Sequence, residues 1–415
     1  MFSLLRQRNF GLLWVGQLIS TMGDWVLFVA LPFYTFSLTG STLATGAMFM
    51  AGALPRLLLG SVAGVFVDRW DRRRTMIAAD VLRAAILLGL LWVHSRDQVW
   101  LIYVSSFALA CVSQFFVPAK SAIIPRLVSQ GDLMPANSLN ALSDALTRLG
   151  GAGLGGLLLA GLGFGGVVWL DAGSFLFSAL MLALIVAPRG PVPARGPAGK
   201  AWAGVWREWL AGLQLVRSHA LLRGMFTVLG VALLGDSIIT VLIVPLVKNL
   251  LHGGPLELGW LMTAQGVGGI AGGLLAGALA RRIPGRRLVS LGLLGTALLV
   301  LAVVNFPWLP LTLALMALVG VVSVVWMVSS QAMLQGSVGD RFRGRVFGTF
   351  GAVSALMSLI GMGLGGALGD VAGVRLMASL GGGLYFAAGL LAIGLLSAAR
   401  VAKSVPAAPV QSQTA

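Results

Sequence analysis

Carboxylates are scarce in this sequence: 13 Asp and Glu stand among 415 residues, and only 10% of the chain is charged, where a soluble domain carries about 25%. With 58% of residues hydrophobic and a mean hydropathy of +0.93, too few polar groups remain to cover a water-facing surface. Cysteine occurs once, as Cys111, which excludes an internal disulfide and a thiolate metal cluster. The three histidines, His94, His219 and His252, lie far apart in loops, and no metal site is expected. There is no G-x-x-x-x-G-K-[ST], no H-E-x-x-H and no G-x-S-x-G, so neither an ATP-driven pump nor a membrane hydrolase is supported, and no cofactor is implied. Gly151, Gly153 and Gly156 satisfy G-x-G-x-x-G, but they sit inside an apolar run where small residues let helices approach, not on a strand-to-helix turn.

What is present is a succession of apolar runs of about 20 residues, the length a helix needs to cross a hydrocarbon core. The spans read as 12 to 38, 43 to 67, 75 to 93, 99 to 118, 137 to 163, 167 to 187, 224 to 250, 258 to 280, 286 to 305, 310 to 334, 345 to 369 and 374 to 398. The stretch MFSLLRQRNF has no small-residue cleavage site after it, so the first run is expected to stay as a span. The net charge of +16 is confined to alternate loops, which argues for membrane topology and against nucleic acid. With the N-terminus cytoplasmic, 23 Lys and Arg, Lys120 among them, fall on that side; Arg96, Lys248 and Arg375 fall on the other, and Arg56, Arg83 and Arg148 lie within spans. Both termini are therefore expected in the cytoplasm of a bacterial-type plasma membrane.

An internal repeat organises the spans. Gly64, Asp68, Arg69 and Arg73 match Gly277, Arg281, Arg282 and Arg286 at an offset of 213; Gly23 and Asp24 match Gly235 and Asp236 at 212; GAGLGGLL at 151 to 158 matches GMGLGGAL at 361 to 368 at 210. The expectation is an all-α integral membrane protein of twelve transmembrane helices in two six-helix bundles, with a substrate site between the halves. The divisions are 1–187 for the N-terminal bundle, 188–223 for a cytoplasmic linker, 224–399 for the C-terminal bundle and 400–415 for a disordered tail. The linker joins a Pro/Gly stretch to a surface helix bearing Trp206, Trp209, Leu210, Leu213 and Val216 on one face.

With those residues in view, the chain resembles the major facilitator superfamily. GVFVDRWDRRR (64 to 74) is similar to that superfamily's G-x-x-x-D-R-x-G-R-R loop, with Asp71 in the glycine's place. NFGLLWVGQLISTMGD, DVLRA, FFVPAKSAIIPRLV, ANSLN and LDAGSF are similar to its macrolide-efflux and siderophore-exporter branch, and the likeness runs over all twelve spans. The resemblance implies a drug or metabolite exporter driven by proton exchange. It also implies a gating loop of Gly64, Asp68, Arg69, Arg72 and Arg73, in which Asp68 latches the outward-facing state. Retention of the loop in the cytoplasm is the other reading of the same basic cluster. Gly151, Gly155 and Gly156 match the antiporter helix-5 signature G-P-x-x-G-G, with Ala152 for the proline, and are read as packing the fifth span against the other half.

An ionisable group inside a span needs a partner or a function. Asp24 and Arg56 lie at similar depth on successive spans and are read as partners; Asp236 sits at the depth of Asp24 with Gly269, not an arginine, in the matching place. Asp24, Asp236 and Asp144 are the proton-coupling candidates. Asp144 with Arg148 at i, i+4 and Asp80 with Arg83 at i, i+3 are expected to pair on their own helices, and Asp171 to cap the sixth span. Gln17, Asn140, Gln265, Trp326 and Gln331 are candidates to line the cleft, although helix packing explains each as well.

The function expected is secondary active efflux of a hydrophobic or amphipathic small molecule by a monomer, with protons as the coupled ion and the lipid bilayer as the medium. Siderophore export and lysophospholipid movement differ from it only in cavity lining. A non-transporting membrane sensor or scaffold is the reading of another class, disfavoured by the intramembrane carboxylates.

Overall fold

The computed structural model describes residues 2–186 and 213–398; most of the expected linker with its surface helix, and the tail, lie outside the described residues. The helices are α1 (Arg8–Thr39), α2 (Thr42–Val67), α3 (Arg72–Gly89), α4 (Val99–Leu127), α5 (133–162), α6 (164–183), α7 (Ala220–Asn249), α8 (Pro255–Arg282), α9 (Gly285–Asn305), α10 (Leu309–Gly336), α11 (Asp340–Ala372) and α12 (Val374–Ala398). The helical run Leu133–Ala183 holds 51 residues, which at about 1.5 Å each is about two and a half times the thickness of a bilayer core. Gly163 breaks it at φ 68, ψ 178, a conformation open to glycine because it has no Cβ, and the chain turns back as α6.

Short caps set the other turns. Gly40 closes α1 in the left-handed region, and the Ser41 hydroxyl accepts from the Ala44 N–H to open α2. Asp71, the residue that departs from the loop signature, caps α3 by accepting from the Arg74 N–H at 2.8 Å. Glu257 reaches back to the Gly254 N–H at 2.6 Å at the start of α8.

Large apolar side chains cover the outside, including Leu274, Leu298 and Leu380, where a soluble protein would place charge. Five exposed tryptophans, Trp92, Trp100, Trp169, Trp260 and Trp308, lie within two turns of helix ends on the side remote from the chain termini, as an interfacial belt requires. That side is termed distal below, and the side nearer Arg8 and Ala398 proximal. The protein is a multi-pass membrane protein.

Helices α1–α6 pack among themselves, as do α7–α12, and the two groups meet chiefly where α2 crosses α11 and α5 crosses α8. Glycines permit both crossings. A Cβ on Gly46 would come 2.9 Å from the Gly366 Cα, and one on Gly156 2.9 Å from the Gly259 Cα. Gly46 and Gly259 are repeat mates (offset 213), as are Gly156 and Gly366 (offset 210), so the duplication generates two equivalent contacts.

The core is divided unequally along the membrane normal. Distally, one cluster joins both groups, with Val26, Phe33 and Val167 from the first and Leu242, Val247 and Leu261 from the second. Proximally the clusters stay within one group each: Phe10, Met76, Phe116 and Leu182 in the first, and Met225, Leu293, Val346 and Tyr385, with a small cluster of Ala276, Leu288 and Val325, in the second. Among the described residues the halves share a core at one end and stand apart at the other.

Candidate functional site

The distal closure is tied by charge as well as by apolar contact. Asp370, near the end of α11, accepts from the Thr42 backbone N–H (2.6 Å), the Thr42 Oγ1 (2.8 Å), the Ser41 hydroxyl (2.6 Å) and the Leu43 N–H (3.2 Å). A carboxylate of one group thus caps the first turn of a helix in the other, where the free N–H groups and the helix dipole favour an anion. On the other side of the seam the Lys248 ammonium of α7 donates to the Ser37 hydroxyl at 2.8 Å and lies 4.9 Å from the Phe33 ring centroid and 5.9 Å from that of Phe36, all on α1. Sequence reasoning missed both ties. Asp370 and Lys248 look like end-of-span charges, and nothing in the local pattern says which helix end faces them.

The proximal basic loop works differently. Arg72 donates to the Ala122 carbonyl of α4 at 3.2 Å, and Arg73 donates from Nε to the Leu182 carbonyl at 2.8 Å and from its other arm to that of Ala183. These arginines satisfy carbonyls in α4 and the last turn of α6, a contact favoured by the helix dipole, and bind the loop to its own half. Asp68 ends α2, and Gly64 has open space where a Cβ would stand.

Within the first half the membrane-embedded charges gather. Asp80 and Arg83 of α3 form a buried ion pair, and the guanidinium lies between the rings of Phe116 (4.2 Å) and Phe175 (4.4 Å). The electrostatic neighbours of Asp24 are Arg83, Asp80 and Lys120, while those of Lys120 are Asp144, Asp24 and Arg83. Asp171 is 1% exposed, bonded to the Ser174 hydroxyl at 3.1 Å, and so close to α1 that its Oδ1 would lie 2.2 Å from a Cβ on Gly23. Four carboxylates and two cations on five helices therefore form one network around α1, from which the Asp24 side chain emerges exposed.

This corrects several expectations. Asp24 faces the α3 and α4 cations; Arg56 stands elsewhere, against α11, because the two positions face different neighbours despite equal depth. Asp144 and Arg148 form no ion pair among the described residues, and Asp144 looks to Lys120 on α4. Lys120 is not in a cytoplasmic loop, since α4 continues to Leu127. Asp171 lies two turns inside α6 and caps nothing; Gly163 occupies the turn. Gln17 is buried and donates to the Ser178 hydroxyl of α6 at 3.1 Å, so it joins two helices instead of lining the cleft. Of Gly151, Gly155 and Gly156 only Gly156 meets the other half, where Gly153 also faces Thr263 of α8; Gly151 and Gly155 admit Trp25 and Val29 of α1.

The second half carries other side chains at its embedded positions. Asp236 accepts from the Tyr385 hydroxyl of α12 at 2.7 Å, a partner not seen in the sequence, because the two are 149 residues apart. Trp326 lies over Gly292 and edge-on to Tyr385 with centroids 6.5 Å apart, and so turns into its own half. At the offset of 213 that Arg73 and Arg286 set on the same helices, Asp80 matches Leu293, so a buried apolar residue stands where the first half has an ion pair. Asn140 and Gln265 are half-buried and Gln331 is exposed.

Comparison with known proteins places this geometry. A family described as "Transmembrane secretion effector" matches residues 1–413. The chain is 32% identical, over 93% of its length and 93% of the relative's, to an MFS-type transporter, YfiS, of Bacillus subtilis (strain 168). It is 29% identical, over 87% of its length and 89% of the relative's, to the multidrug efflux pump Tap of Mycolicibacterium fortuitum. In fold it is similar to a bacterial homologue of the iron transporter ferroportin in an inward-facing state, with a TM-score of 0.72 over 95% of this chain and 99% of the other at 17% identity.

Proposed function

The chain belongs to the transmembrane secretion effector family of major facilitator transporters, and on that premise we propose that it exports an amphipathic or hydrophobic small molecule in exchange for protons. Both termini lie in the cytoplasm and the distal end faces outward, in keeping with the excess of basic residues on the proximal side. Residues 1–187 and 224–399 act as the two rocking bundles, 188–223 as the cytoplasmic connection and 400–415 as a tail.

The observation that carries this reading is one distal core shared by both halves against proximal cores that each belong to a single half. Such an arrangement is one end state of a rigid-body rocking motion: substrate enters from the cytoplasm, the proximal faces close, and the distal seam at Thr42 and Asp370 parts. Cleft chemistry suits an amphipath, because charge is concentrated on the first half while Asp236 stands alone on the second beside Tyr385 and Trp326.

Asp24 is the favoured proton carrier. It is exposed, with Arg83, Asp80 and Lys120 as its electrostatic neighbours, so a change in its protonation alters forces on α3 and α4 together. Asp144 and Asp236 are the other candidates. Purified protein in vesicles with an imposed pH gradient tests the reading: wild type accumulates a dye or antibiotic against its gradient, whereas Asp24→Asn, inserted in equal amount, does not. Gradient-independent flux in wild type overturns proton exchange.

A further inference from the structure

An arginine in a membrane span needs an anion or a water-filled cavity beside it. Arg56 is 14 residues from the start of α2 and 11 from its end, about 21 Å and 16 Å along the axis, which puts it near mid-bilayer. It lines a cavity of ≈ 280 Å³ that reaches across the seam, with Gln114 of α4 on one side and Gly348, Gly351 and Ala352 of α11 opposite.

The walls offer this cation no counter-charge. From Thr42 to Val67 and from Val99 to Leu127 there is no Asp or Glu, and α11 has none between Asp340 and Asp370. Among the described residues no carboxylate comes within ion-pair distance of Arg56. Gln114 presents an uncharged amide whose oxygen would lie 3.7 Å from a Cβ on Gly60. The opposite wall is smooth: a Cβ on Gly348 or Gly351 would meet nothing within 4 Å. Charge stands on the first half, and room for an apolar body on the second.

We propose that Arg56 anchors a substrate subsite for an anionic amphipath. Its guanidinium takes two oxygens of a carboxylate or phosphate in the planar, forked geometry that suits such groups. The hydrocarbon or aromatic body lies along Gly348, Gly351 and Ala352. The ligand touches both halves, so occupancy is coupled to their rocking. This inference rests on the transporter reading and deepens it by assigning the charge of the substrate head group.

Equilibrium binding of radiolabelled laurate to the purified full-length protein tests the site, with dodecyl phosphate, dodecylamine, acetate and inorganic phosphate as competitors. Dodecyl phosphate is expected to displace laurate, while dodecylamine is not; failure of acetate and inorganic phosphate to compete identifies an amphipath and not a free anion. Arg56→Gln loses affinity by about tenfold or more, and Arg56→Lys recovers part of it. Ala352→Trp, which fills the cavity and leaves the arginine in place, loses binding as well. Each variant is first shown to match wild type in thermal unfolding and elution volume. Laurate bound equally by wild type and Arg56→Gln, or displaced as well by dodecylamine, overturns the site. Vesicle flux in wild type separates this from the wider reading: arginine-dependent binding without flux of any compound supports the subsite and removes the transporter, whereas flux with arginine-independent binding does the reverse.

Discussion

The Asp370 carboxylate accepts both the backbone N–H and the hydroxyl of Thr42, at 2.6 and 2.8 Å, and so joins the eleventh helix to the first turn of the second across the seam between the halves. The Thr42 hydroxyl also reaches the Gly366 carbonyl at 2.8 Å, one turn earlier on α11. These bonds exist only while the distal end is closed.

Asp370→Asn keeps the size of the side chain and removes the charge that favours the helix N-terminus. Because the carboxylate is exposed, its loss is expected to cost the closed state about 1 kcal/mol, about a fivefold shift toward distal opening. Spin labels on the distal ends of α2 and α11 measure it; an unchanged distance distribution would falsify the latch.

Lys248→Met removes the donor to Ser37 and the charge over Phe33 but keeps an apolar stem in place. Combined with Asp370→Asn it is expected to open the distal end further, with nearly additive effects, since the two ties share no partner. Accessibility of a cysteine placed at Gly254 to a membrane-impermeant maleimide reports the opening, and no gain in the double variant would refute independent ties.

Gly46→Val and Gly156→Val place a branched side chain against backbone less than 3 Å from the added Cβ. Both are expected to abolish transport by wedging the distal crossings apart while the bundles stay folded. The two should behave alike, being at equivalent crossings; retained flux in either would show that the seam tolerates separation.

Removing one member of the Asp80–Arg83 pair leaves the other as a buried charge without its ion-pair partner. Asp80→Ala or Arg83→Ala is expected to destabilise the first half by about 3–5 kcal/mol, while Asp80→Ala with Arg83→Met restores much of that loss. Thermal unfolding in detergent checks the order, and a double variant no more stable than either single one would contradict it.

Tyr385→Phe deletes the hydroxyl that donates to the Asp236 carboxylate, a charge-assisted bond typically worth about 1.5–3 kcal/mol. The single variants Tyr385→Phe and Asp236→Asn and their double are expected to show strong coupling in a stability cycle. Additive losses would mean that the bond contributes nothing.

Much of the site escaped sequence reasoning for a common cause. Depth along a span follows from counting residues, so Asp24 and Arg56 were placed level, yet azimuth around the helix depends on which neighbour each face meets. Asp24 turned to Arg83 and Lys120, and Arg56 to α11. The Asp80 with Arg83 pairing was legible because i, i+3 spacing on one helix needs no knowledge of neighbours. Asp144 with Arg148 had the same local logic and lost to a lysine on another helix.

Composition alone required a membrane, since a chain so poor in charge has no other solvent that accepts its surface, and the run lengths and the offsets near 212 required twelve helices in a duplicated bundle. Those properties are periodic or additive along the chain. Which end is sealed, which carboxylate caps which helix, and where Arg56 opens into a cavity depend on pairs of residues hundreds of positions apart. Those were decided by packing, because small residues such as Gly46 and Gly292 determine where one helix admits another.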